Sequence, residues 1–151
     1  MTKMKKVTMI VFTSILILSA LAFLGFRGFV SSIRNQRTCE WANIDNIELH
    51  AHVDVPKVTQ WNCDYEKVNN TKKASFTIDK EKFDVDKYIQ TYNLKRVSSA
   101  MVLEHDKFLN LEKSSLSSDL YYKKSDADEQ AYYVLLDKLT ARLWVTIKYK
   151  D

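Results

Sequence analysis

Residues 7–26, VTMIVFTSILILSALAFLGF, run for twenty positions without a charge. At helical rise such a run crosses the roughly 30 Å hydrocarbon core of a bilayer. Lys3, Lys5 and Lys6 precede it and Arg27 follows it. The rest of the chain is then a small domain tied to a membrane. A cleavable signal peptide is the competing reading, because Ser19-Ala20-Leu21-Ala22 contains a small-x-small site. Two points favour an uncleaved anchor. The apolar run exceeds the roughly 7–15 residues of a signal core, and cleavage after Ala22 would leave Phe23-Leu24-Gly25-Phe26 as an apolar new terminus. The division of the chain is residues 1–6 as a cytoplasmic tail, 7–26 as the anchor, 27–38 as a juxtamembrane linker or helix extension, and 39–151 as an extracytoplasmic domain.

Orientation follows from the cysteines rather than from flanking charge. Three lysines precede the run, and Arg27, Arg34 and Arg37 follow it, a near tie under the positive-inside rule. The two cysteines, Cys39 and Cys63, both lie beyond the run. An even count in a small domain reads as one disulfide on the oxidising side of a membrane. Closing a loop of about 25 residues stabilises by roughly 3.5 kcal/mol in the chain-entropy model. No CxxC occurs, so neither a zinc ribbon nor a thioredoxin-like motif is present.

The net charge of +4 has two sources. Six basic residues and no acid precede Cys39, where positive charge meets anionic headgroups. The rest carries 17 Lys and Arg against 19 Asp and Glu. A near-neutral domain lacks the footprint of a nucleic-acid binder. Both glycines, Gly25 and Gly28, fall in or beside the anchor, and the one proline is Pro56. A P-loop, a GxGxxG fingerprint and a G-x-S-x-G elbow are thereby excluded.

Patterning predicts an α+β domain, an antiparallel sheet of five to seven strands with one principal helix and a C-terminal β-meander. Asn46–Val55 alternates, with Ile47, Leu49, Ala51, Val53 and Val55 on one face, and reads as a strand. Pro56-Lys57 then turns it into a hairpin with Val58–Val68, whose Cys63 points inward toward Cys39. Asn69-Asn70-Thr71 forms a loop and matches a glycosylation sequon. Lys73–Asp79 follows as a strand with Ala74, Phe76 and Ile78 inward. Asp84 caps a helix whose Val85, Tyr88, Ile89 and Tyr92 share a face, with Phe83 stapling onto Tyr88 and Asn93 stopping it. Arg96–Leu103 is a further strand, and Asp106–Lys113 a short helix or irregular packed segment. Leu120–Lys124, Gln130–Asp137 and Arg142–Tyr149 form the meander.

Three constellations bear on chemistry. His50, His52 and Asp54 share the polar face of the first predicted strand, a pattern suited to zinc or copper. The spelling H-x-H-x-D resembles the start of the metallo-β-lactamase metal motif. Val55 stands where that family has a further histidine, and His105 is a distant third ligand. Ser114, Ser115, Ser117 and Ser118 lie within reach of no local elbow motif, and Glu104 and Asp106 flank His105. Tyr121, Tyr122, Tyr132 and Tyr133 place one ring of each pair on either side of the sheet. The outward rings and Trp144 form either an exposed patch for a partner or a second core. The loop Asp126, Asp128 and Glu129 beside them steers a basic partner in the first case.

The expected function is therefore a membrane-anchored, periplasmic, non-catalytic binding protein that needs no cofactor and no nucleic acid. Its architecture, though no residue motif, resembles the small periplasmic immunity proteins that protect bacteria from toxins. It equally resembles short companion subunits that stabilise a transmembrane sensor or an envelope complex. The rival reading is a metal-binding protein built on His50, His52 and Asp54.

Overall fold

The computed structural model describes residues 3–41, 43–98 and 116–150. The chain divides into two compact units, Met1–Asn35 and Gln36–Asp151. The first is helix α1, Lys3–Arg34. It continues eight residues past the uncharged run, so positions 27–34 are helix rather than linker. Thr8–Arg34 is long and apolar enough to cross a bilayer. Within the helix Thr13 Oγ1 donates to Met9 O at 2.8 Å and Ser14 Oγ to Ile10 O at 2.9 Å. These bonds satisfy the hydroxyls inside the helix, as a hydrocarbon setting demands.

The second unit is α+β. After α2 (Asn43–Ala51) come β1 (Val58–Glu66), β2 (Thr71–Ile78), a 3-10 turn (Lys80–Lys82), α3 (Val85–Tyr92), β3 (Lys95–Val97), β4 (Leu120–Asp126), β5 (Gln130–Asp137) and β6 (Arg142–Tyr149). The six strands form one antiparallel sheet in the order β1-β2-β6-β5-β4-β3. The meander β4-β5-β6 stands as the sequence predicts, and β6 reaches back to pair with β2. β5 and β6 lie at the centre, which explains their near-continuous apolar sequences: both faces of a central strand need covering.

Pairing register defines two faces. On the first, Ala74, Phe76 and Ile78 of β2, Leu143, Val145 and Ile147 of β6, and Val134 and Leu136 of β5 form the main core. α2 supplies Ile47 and Ala51 to it, and α3 supplies Tyr88. The expected single principal helix is thus one of two that pack here.

α3 follows its local signals closely. The Asp84 side chain accepts from Lys87 N at 3.0 Å, and Asn93 ends the helix in the left-handed region at φ 53°. Phe83 packs edge-on against Tyr88, with ring centroids 5.1 Å apart.

The N-terminal strand does not form. Asn43–Ala51 is helical and buries Asn43, Asn46, Ile47, His50 and Ala51, positions spaced i, i+3, i+4, i+7, i+8. Asp45 in its first turn complements the helix dipole. The expected hairpin with this segment does not form: β1 pairs instead with β2 through the turn at residues 67–70, and among the described residues no strand lies on its other edge. Pro56-Lys57 instead lies in the connection from α2 to β1. The predicted Arg96–Leu103 strand is seen as β3, and its part from residue 99 lies outside the described residues, as does Asp106–Lys113.

Candidate functional site

The second face of the sheet is ordered in rows across the strands. One row runs Tyr122, Leu135, Trp144, Ser75, Asn62, and the next Lys124, Tyr133, Thr146, Lys73, Asp64. A third holds Asp126, Ala131, Lys148, Thr71 and Glu66. Tyr133, Leu135 and Trp144 form a second apolar cluster with Val97 and Leu120. Trp144 is 7% exposed and Tyr133 9%. Both are therefore packed side chains rather than an outward patch. Tyr122 is half-buried and stacks on Tyr133 with ring centroids 5.8 Å apart. Tyr121 and Tyr132 lie on the first face, as the pairing of each tyrosine doublet requires.

Beyond this cluster the face opens into a cleft of about 340 Å³. Ala131, Tyr133 and Thr146 lie across its floor, and Lys124, Asp126 and Lys148 stand along its lining with Ser125 and Tyr132. Lys124 and Lys148 are exposed, whereas Thr146 is buried. Burial pushes the Tyr133 hydroxyl up to about 12. A second, more polar cleft of about 240 Å³ lies between Gln60, Asn62, Ser75, Thr77, Arg142 and Trp144.

The acidic loop is partly neutralised from within. Lys150 Nζ sits 2.5 Å from Asp126 Oδ1 and 2.7 Å from Ala127 O. That bond holds the Asp126 carboxyl below its ordinary value. Asp128 and Glu129 are exposed in the turn before β5.

The histidine constellation is dismantled by the helix. His50, in the last turn of α2, donates through Nδ1 to Gln130 Oε1, and Gln130 Nε2 returns a bond to His50 O at 2.9 Å. His52 follows the helix at φ 53°, its carbonyl accepting from Lys123 Nζ at 3.1 Å. The Asp54 carbonyl accepts from Tyr88 Oη at 2.8 Å. The shared strand face that the metal reading requires is not formed. Among the described residues no group of three or more His, Cys, Asp or Glu is placed to hold a metal ion. His105, Glu104, Asp106, Ser114 and Ser115 lie outside the described residues. Ser117 Oγ donates to Asp137 Oδ1 at 2.6 Å, so this serine closes a turn, and Ser118 is exposed beside it.

The segment that follows α1 is fixed at three points. Cys39 and Cys63 form the expected disulfide, with Cα atoms 5.8 Å apart. The Arg37 guanidinium lies over the Tyr149 ring at 5.3 Å. Gln36 O accepts from Lys72 Nζ at 3.1 Å. Lys72 is fully buried, and its ammonium also donates to Asn46 Oδ1 at 2.6 Å. Tyr149 Oη donates to the same oxygen at 3.0 Å. Burial lowers the Lys72 amine to about 8. No local motif marks this lysine, and period two is the sequence signal that reveals it. Lys72 shares parity with Ala74, Phe76 and Ile78 and so belongs to the inward face.

Comparison with known proteins found no matching family model, no matching curated protein and no matching solved structure.

Proposed function

We propose that this chain is a membrane-anchored binding protein whose folded unit lies on the oxidising side of the membrane and works by non-covalent contact with another protein. The observation that carries the reading is the open cleft on the second sheet face, with Lys124 and Lys148 over a floor of Ala131, Tyr133 and Thr146. Concave apolar floors rimmed by a few polar groups are where ligands and hot-spot side chains seat. The rim favours a partner that brings a carboxylate on an apolar stem. The α1 helix and the disulfide support the address. The side chains best suited to catalysis are engaged in the fold, His50 with Gln130 and Ser117 with Asp137, and the reading is of a non-catalytic protein.

The test is a pull-down of tagged full-length protein from its native membrane in mild detergent, with mass spectrometry. Wild type is expected to carry one stoichiometric partner, and Lys124→Glu/Lys148→Glu to lose it with an unchanged circular dichroism spectrum. Equal recovery by both proteins removes the cleft from the proposal.

A second reading is favoured by the three attachments of residues 36–39. In it the protein is a companion subunit of a transmembrane sensor or envelope complex, and α1 itself makes contacts. Replacing residues 7–26 with an unrelated anchor tests this. A pure tether tolerates the exchange, whereas a companion subunit loses its partner.

A further inference from the structure

The two edges of the sheet are unlike. β3 is three residues long and exposes Lys95 and Arg96, which is how natural sheets blunt an edge. β1 runs nine residues at the other end, contains neither lysine nor proline, and beyond an irregularity between Val58 and Gln60 pairs in regular register from Gln60 to Glu66. Among the described residues only β2 pairs with it. Trp61, in mid-strand, is 50% exposed. A long edge with a central exposed aromatic is a template for another strand.

We propose that β1 pairs antiparallel with β1 of a second copy of this chain, about a two-fold axis normal to the sheet at Trp61. Such an axis keeps each residue on its own face, so Trp61 stands opposite its counterpart and Gln60 opposite Asn62. The two indoles then share the first face, the side on which Trp61 neighbours Phe76. Directly opposed residues approach to roughly 4.5–5.5 Å, close enough for each ring to cover the other. Charge favours the same arrangement. Asp64 and Glu66 close one end of the strand and Lys57 precedes the other. Antiparallel pairing lays each acidic end beside the Lys57 end of its partner. The surface is separate from the Lys124/Lys148 cleft, so the inference stands whatever that cleft binds.

The experiment is sedimentation of full-length protein in mild detergent, with three variants. Wild type is expected to sediment as a dimer and Trp61→Lys as a monomer. Trp61→Cys is expected to give a reductant-sensitive dimer at several times the yield of Leu139→Cys, a control on the exposed β5–β6 turn. A monomeric wild type overturns the proposal. So does a Trp61→Lys protein that stays dimeric, because association would then run through α1. Trp61→Cys cross-linking no better than Leu139→Cys also overturns it, and this pair decides the matter if Trp61→Lys fails to fold.

Discussion

At the scale of the residue, a glycine-free folded unit has to make its sharp turns with other side chains. Positive φ falls on His52, Asn70, Asn93 and Ala141. The two asparagines bear it cheaply, and Asn70 adds a bond by accepting from Tyr65 Oη at 2.7 Å. The turn ending in Ala141 is organised by Asp137, which is fully buried. Its carboxylate accepts from Ser117 N and Oγ at 2.9 and 2.6 Å, and from Leu139 N and Thr140 N at 3.0 and 3.1 Å. Burial alone would raise this carboxyl, but the bonds from Ser117 and Thr140 outweigh it and hold the group below its ordinary value. A carboxylate lowered in the folded state contributes stability that is complete above its unfolded value near 4 and is lost as pH falls through the lower folded value. Asp137→Ala is expected to cost about 2–3 kcal/mol at neutral pH and to flatten the acid limb of stability. Urea denaturation across pH 2–7 reads both effects. Lys72 has the same sign of pH dependence, because its folded-state value is lowered too, here by burial of the charged form. Its folded-state amine, near 8, lets go of its proton before the unfolded amine near 10.4 does. Wild-type stability therefore gains a contribution as pH rises from about 8 toward about 10.4, and Lys72→Met lacks it. The difference between the two denaturation curves over that window is the measurement.

Among the elements, α3 shows what local chemistry suffices to specify. Asp84, Asn93 and the Phe83–Tyr88 staple all lie within a turn of the helix they bound, and each works as its residue type predicts. Asp84→Ala is expected to lower stability by about 1 kcal/mol in a thermal or urea melt. β5 and β6 were equally legible, because their Tyr, Val, Leu and Ile content and the short DKLTAR turn agree with one another. α2 was not. Ile47 and Ala51 are four apart, so they satisfy a helix face and an alternating strand alike. What separates the two is which conformation finds partners for the polar residues of the segment. Asn46 and His50 complete the helical face by bonding to Lys72, Tyr149 and Gln130. Those partners lie 26 to 103 residues away, beyond any local pattern.

For the whole molecule, the candidate site was legible in its residues but not in its relief. The tyrosine doublets and Trp144 take the sides that alternation assigns. Which of them is covered depends on packing between distant strands, and the rim lysines read as ordinary surface charge in one dimension. The disulfide was legible because only one pairing of two cysteines exists. Reducing it is expected to lower stability by roughly 3.5 kcal/mol, seen as a fall in the urea midpoint of detergent-solubilised protein on adding a thiol. The bond has a mechanical meaning as well. With Cys39 joined to Cys63, residues 40–62 become a side loop that contains all of α2. Tension entering through α1 passes from residues 36–39 to Lys72, Tyr149 and, across the sulfur bridge, β1, and never travels along α2. Reduction restores the peptide path, adds 24 residues of slack, some 80 Å at full extension, and turns α2 into the first element to take the load. The redox state of one bond thus selects which part of the fold bears a pull applied through α1.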